Sequence, residues 1–366
     1  MKERILVLII LAAAAVAQVP TSSFDDLSSR AQQAYDSNHL EEAAQLYADA
    51  VKLRPDWAQG WWAQGMIAYE RDQYPECRDF LSRMVQLDSS AAPGFALLGL
   101  CEFRTKQYEQ AFQHLKKGHM LVPVREGGGP LLDMADYHLA LLLTRQGAFE
   151  LAQEVLVRVA LKVRDNPDMF VGAGLASLRM AILPDEVSPK QKDLVTMAGK
   201  TFWDLISQPP PEAEADFKAL VSKYPKTPNV HYYYGTYLAS HHPEECAREF
   251  LQELRISPDS VPARVQLVLR YIVDAKLTLA LRYAREAVAL SPESVGSQLA
   301  LAETLRAQGR DEPALMAFLE AKRLDPVSPK IRLYLVNEYR SLGRIEDMRR
   351  EQAEYERLKS EQQNWP

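Results

Sequence analysis

Only three cysteines, Cys77, Cys101 and Cys246, occur in 366 residues, too few for a disulfide framework. Glycine is also scarce, at 16 residues, which argues against an all-β or a disordered chain and suits packed helices. A basic excess is missing too. Lys and Arg total 43 against 49 Asp and Glu, a net charge of −6, so the chain carries no electrostatic footprint for nucleic acid and none for an anionic membrane surface. Motifs that carry chemistry are absent as well. The glycine cluster Gly127 to Gly129 lacks the Lys-Ser/Thr that holds phosphates, and no G-x-S-x-G nucleophile turn occurs. His241 and His242 are adjacent and His114 and His119 are five apart, so neither pair has the i,i+4 spacing of a zinc helix. No catalytic residue, cofactor or metal site is therefore expected, and the chain reads as a non-enzyme.

The N-terminus has what a secretory leader needs. Lys2 and Arg4 give a positive start, Ile5 to Val16 is an apolar run too short to span a bilayer comfortably, and Ala15-Val16-Ala17 places small side chains for cleavage before Gln18. Residues 1–17 are expected to be a signal peptide and the protein to be exported, periplasmic or secreted, with no integral membrane span afterwards. Glu3 is unusual in such a leader, and an uncleaved N-terminal anchor is the alternative. The cysteines read as buried packing residues, with a Cys77–Cys101 pair as the alternative that an oxidising compartment would allow.

The strongest positive signal is internal repetition. Ala31, Gly65 and Gly99 are 34 apart, as are Ala43, Cys77 and Ala111, and the same step relates Val268, Ala302 and Val336 and again Pro258, Pro292 and Pro326. The spacing predicts a first helix with a small residue midway, a turn with a plugging Tyr, Phe or Leu, and a second helix carrying a small residue and then a large one such as Leu81, Leu115, Phe217, Phe250 or Phe318. Sequences such as "LRP", "ISP", "LSP" and "LDP" close the second helix, because proline cannot continue it.

The stretches "WWAQGMIAYERDQYPECRDFLSRMVQLD" and "SQLALAETLRAQGRDEPALMAFLEAKRLDP" resemble the tetratricopeptide repeat (TPR) family. The resemblance implies an all-α superhelical solenoid of antiparallel helix pairs, about nine units between Phe24 and Glu361, and a role in binding protein or peptide. It also resembles exported bacterial multi-repeat proteins. A four-repeat array over residues 18–166, an irregular helical junction over 167–193 where "PDMFVGAGLASLRMAIL" finds no partner, and a five-repeat array over 194–366 ending in a charged capping helix are expected. The segment "VREGGGPLLD" is expected to be a loop.

In such solenoids the first helices line the concave face, so residues beside the packing positions point into the groove. These are Trp62, Met66 and Tyr69, then Leu100 and Phe103, then Tyr137 and Leu141, with Tyr232 beginning a second row. Trp62, Met66, Tyr69 and Phe103 are expected to form an apolar anchor for a bound segment, against the alternative that they thicken contacts between repeats. Some members of the family hold a C-terminal carboxylate with groove Lys, Arg and Asn. Here the corresponding positions are Ser28, Gln32, Ala63 and Leu97, which argues against that mode. The function expected is a scaffold in a cell-envelope assembly that holds a segment in its groove, the alternative being a structural subunit or accessory that uses its outer helices.

Overall fold

The computed structural model describes residues 23–122, 129–163, 166–207 and 210–361. The expected leader, residues 1–17, lies outside them, as do Gly127 and Gly128. Among the described residues every regular element is helical, with nineteen α-helices and a single short 3-10 turn at Pro184–Glu186. The chain forms two compact units that part at Ser89 and Ser90, not at the junction expected over residues 167–193.

The first unit holds two antiparallel pairs, α1 (Phe24–Asp36) with α2 (Leu40–Leu53) and α3 (Ala58–Glu70) with α4 (Tyr74–Leu87). Its core joins Leu27, Ala31, Ala34, Ala43, Leu46, Tyr47, Ala50 and Ile67. In the second unit α5 (Ala92–Arg104) pairs with α6 (Tyr108–Leu121) and α7 (Gly129–Arg145) with α8 (Phe149–Ala160). Further along, α9 (Pro167–Ser177) pairs with α10 (Pro189–Ser207), and α11 (Pro210–Lys223) stands between that pair and the next. The last four pairs are α12 (Val230–His241) with α13 (Pro243–Ile256), α14 (Val261–Val273) with α15 (Leu277–Leu290), α16 (Val295–Ala307) with α17 (Asp311–Leu324), and α18 (Pro329–Ser341) with α19 (Ile345–Glu361).

The pairs close by a small residue meeting a large one. A Cβ added at Gly65 would lie 2.6 Å from the Leu81 side chain, one at Gly99 2.6 Å from Leu115, and one at Gly235 2.6 Å from Phe250. The close partner of each glycine is thus the large residue of the second helix. The turns are cut the same way: Asn38, Asp72 and Lys106, and later Ala275, Gly309 and Gly343, stand in the left-handed region at the 34-residue step. There the next amide reaches back five residues, as from His39 to the Ala34 carbonyl at 2.8 Å, which satisfies the orphan carbonyls of the helix end. A second recurring device joins repeats: a side chain in the first turns of a first helix donates to the carbonyl of the linker proline six residues earlier. Trp61 does so to Pro55 (2.9 Å), Gln298 to Pro292 (2.9 Å) and Arg332 to Pro326 (2.7 Å).

Two expectations need correcting. Helix α9 is not without a partner, for it lies against α10 more closely than any glycine-lined pair above. A Cβ at Gly174 would sit 1.9 Å from the Val195 carbonyl oxygen and one at Gly199 1.7 Å from that of Phe170, so the two backbones touch. The odd helix is α11, whose Phe217 packs on the rings of Tyr233 and Tyr237 at 4.7 and 4.6 Å. The expected loop "VREGGGPLLD" is also partly helical: α7 begins at Gly129, Leu132 is buried, and Asp133 accepts from Lys162 at 2.9 Å.

The last helix is largely exposed and charged. Only Glu351 and Leu358 of α19 are buried, and Glu351 accepts from Lys322 (2.5 Å) and Arg332 (2.8 Å). Helix α18 carries a defect. Glu338 of α18 is fully buried, neither of its carboxylate oxygens has a hydrogen-bond partner among the described residues, and burial first, then the charges of Asp311 and Glu312, push its carboxyl above the usual range against the pull of Arg306. The folded protein therefore binds this proton more tightly than the unfolded chain does, so the penalty is absent near pH 4 and grows as pH rises. Glu338→Met is expected to stabilise the protein by about 1–3 kcal/mol at pH 7, the cost of an unsatisfied buried polar group, and by little at pH 4, as thermal denaturation at the two pH values would read.

Candidate functional site

The first unit has a cavity of about 260 Å³ lined by Gln32 and Tyr35 of α1, Tyr47 of α2, Trp57, and Gln59, Trp62, Ala63 and Met66 of α3. Local packing fixes its walls. Trp57 lies flat because Gly60 has no side chain, since a Cβ there would be 2.2 Å from the Trp57 ring. Phe24 meets that ring edge-on at 4.9 Å, and Tyr47 lies at 5.9 Å. The Tyr47 hydroxyl donates to Gln32 Oε1 at 2.9 Å, and the Tyr35 hydroxyl donates to Glu70 at 2.9 Å. Burial and then that carboxylate push the Tyr35 phenol up to about 12, so it stays a neutral donor.

The adjacent tryptophans of α3 have divided roles. Trp61 spends its indole N–H on the Pro55 carbonyl and faces Phe80 at 6.2 Å, while Trp62 lines the cavity. Trp62 and Met66 are thus brought together with Trp57, Tyr35 and Tyr47, which the sequence reading did not single out as ligand-facing. Tyr69, one turn on, is outside this cavity and sits edge-on to Tyr74 at 5.8 Å.

In the second unit the expected residues part company. Leu100 is 1% exposed and Leu141 is likewise buried, so neither offers surface to a partner. Phe103 meets Tyr108 at 5.4 Å and His138 at 4.7 Å, and Tyr137 meets the same imidazole at 5.6 Å while its hydroxyl donates to the Asp168 carbonyl at 3.3 Å. These rings thicken the contact between neighbouring repeats. Burial, with Arg104 assisting against the His138–Met134 carbonyl bond, pulls the His138 imidazole down to about 4. A base whose folded value is lowered gives stability that is complete above the unfolded value near 6.5 and is lost as pH falls towards 4. His138→Phe is expected to keep the ring contacts and remove that part of the acid sensitivity, measurable as a flatter Tm profile between pH 7 and 4.

Tyr232 is placed differently, in a second cavity of about 240 Å³ that also takes in Arg179, Glu150, Gln266, Ser294 and Gly296. A third, of similar size, is walled by Pro243, Phe250, Leu269 and Val273 with the free, buried thiol of Cys246 at its side. Histidines elsewhere face carboxylates singly: His114 meets Glu102 at 2.7 Å, and His119 meets Asp136 at 2.7 Å on one side and Arg158 on the other. Among the described residues no three His, Cys, Asp or Glu side chains come together as a metal site would need, and no helix is long and apolar enough to cross a membrane.

No curated protein matches the chain significantly. Among solved structures, yeast Tom70 is similar at 12% identity over 92% of this chain and 76% of that one, with a TM-score of 0.42. YrrB, a TPR protein with an unusual peptide-binding site, is similar at 15% identity over 67% of this chain and 91% of that one, with a TM-score of 0.32. The APC/C hetero-tetramer Cut9–Hcn1 gives 16% identity over 92% of this chain and 73% of that one, with a TM-score of 0.35. The model of the tetratricopeptide repeat family matches residues 29–92 and 266–329, the two stretches where the 34-residue register is strictest. Those two stretches are tetratricopeptide repeats, and the helix pairs of the described residues share their close glycine contacts and left-handed turns.

Proposed function

We propose that the protein is a non-catalytic, exported scaffold that holds an extended protein or peptide segment along its first helices, with an apolar side chain of that segment seated in the Trp62 cavity. The observation that carries this reading is the composition of that cavity. Trp57, Trp62, Tyr35 and Tyr47 give large, rigid apolar faces, Gln59 gives an amide group to a passing backbone while that of Gln32 is held by Tyr47 and Asp36, and among the described residues no charged side chain lines it. Aromatic anchors in a walled pocket are the usual energetic centres of protein recognition.

A library of random peptides displayed on phage, selected on the immobilised protein, tests it. Sequences sharing an apolar anchor should emerge on the wild type and be lost on a Trp62→Ala, Met66→Ala double variant that keeps its helical signal. Enrichment that survives the double variant would contradict this placement. Export belongs to the same proposal and rests on Lys2, Arg4, the apolar run and Ala15-Val16-Ala17. Intact mass of the native protein should show a start at Gln18, and a full-length cytosolic species would refute it.

A further inference from the structure

The cavity around Tyr232 has a different chemistry from the aromatic one. Arg179 sits in the turn after α9, at a left-handed position (φ 55°) that other turns give to Asn38, Asp72, Lys106, Ala275 or glycine. Its guanidinium lies 4.7 Å from the Phe149 ring centre and 5.4 Å from that of Tyr232, so two aromatic faces fix it. Its side chain is only 18% exposed, yet the carboxylate it pairs with, Glu150, is 65% exposed. A largely desolvated cation therefore has its counter-charge on a largely exposed side chain, where water and salt weaken the pair. Around it stand the side chains of Tyr232, Gln266 and Ser294. At Gly296 an added Cβ would meet nothing nearer than Ser294 Oγ at 3.7 Å, so this wall of the cavity is open.

We propose that this cavity binds a carboxylate, the side chain of an Asp or Glu on a peptide segment, and that Glu150 occupies the Arg179 guanidinium as an internal stand-in until that carboxylate displaces it. Guanidinium suits the role because its fork of donors matches a carboxylate in two parallel hydrogen bonds. The inference rests on the reading that the protein holds a peptide segment, and it assigns one residue class to that segment.

The test reads Arg179 directly. The side-chain Nε–H signal of Arg179, assigned by its loss in Arg179→Lys, is followed by NMR while N-acetylglutamate amide is added to the whole protein, with N-acetylglutamine amide as the neutral match. A saturable shift is expected with the acid alone. In Glu150→Gln the half-saturating concentration should fall by up to about fivefold, the worth of a half-exposed ion pair. In Gly296→Val, which narrows the cavity at its open wall, the shift should weaken. No shift, an equal shift with the neutral amide, or weaker binding in Glu150→Gln would each overturn the proposal. A shift with the acid but no peptide enriched from the library would leave the carboxylate pocket standing and remove the peptide reading, and the reverse pair of results would do the opposite.

Discussion

Gly199→Ala is expected to destabilise the protein by roughly 3 kcal/mol or more, at the upper end of what one extra methyl costs in a packed interior. The Cβ would lie 1.7 Å from the Phe170 carbonyl oxygen and 2.5 Å from its carbon, and these are backbone atoms of α9 that cannot rotate aside. Relief requires α9 and α10 to separate along their contact, which also opens Gly174 against Val195. Gly99→Leu meets mainly the Leu115 side chain, which can shift, so a smaller loss of about 1–3 kcal/mol is expected there. Gly296→Ala is the control, because its Cβ enters open space and alanine favours a helix over glycine. Chemical denaturation of the three variants should rank them in that order, with Gly296→Ala at or above wild type.

The Trp62→Ala, Met66→Ala double variant should weaken binding of a library-selected peptide by roughly 2 kcal/mol, about thirtyfold in Kd, while leaving the melting temperature within a few degrees of wild type. The asymmetry follows from position. Both side chains are only half-buried and border the cavity, whereas the packing of α3 is carried by Gly65, Ile67 and Ala68, which are buried. Tyr69→Ala and Phe103→Ala should do the reverse, lowering the melting temperature and sparing affinity, because their rings are spent on Tyr74 and on Tyr108 and His138. Fluorescence anisotropy of the labelled peptide, with thermal melts of the same samples, separates the two outcomes.

The repeat was legible in the sequence because its packing residues are few and regularly spaced. Gly65, Gly99 and Ala302 are buried where the 34-residue step puts them, and Leu81, Leu115 and Phe318 close on them or beside them. What hid the α9–α10 pair is the length of its turn. Regular pairs pass from one helix to the next within three residues, as between Asp36 and Leu40, whereas here the chain runs from Ser177 to Pro189. The contact is made by Gly174 and Gly199, whose separation falls outside the register that finds the others.

The candidate site was legible in part for a related reason. Position beside the packing register marks a side chain as leaving its own repeat, and Trp62, Met66 and Tyr232 do line cavities. The same position does not say whether the next repeat fills that space. At Phe103 and Tyr137 it does, through His138 and the Asp168 carbonyl. Arg179 could have been placed in its turn, at the left-handed position that Lys106 and Ala275 also occupy, only once α9 is recognised as a first helix.

The reading that the Trp62 cavity holds a partner's side chain is tested most directly by the indole N–H signals of the protein's five tryptophans, assigned by single substitutions. Trp57 and Trp62 line the cavity, whereas the indoles of Trp61 and Trp203 are held by the carbonyls of Pro55 and Val163, each at 2.9 Å. On titration with a library-selected peptide, the Trp57 and Trp62 signals should move together and saturate while those of Trp61 and Trp203 stay in place. Saturable binding that leaves Trp57 and Trp62 unmoved would contradict the account.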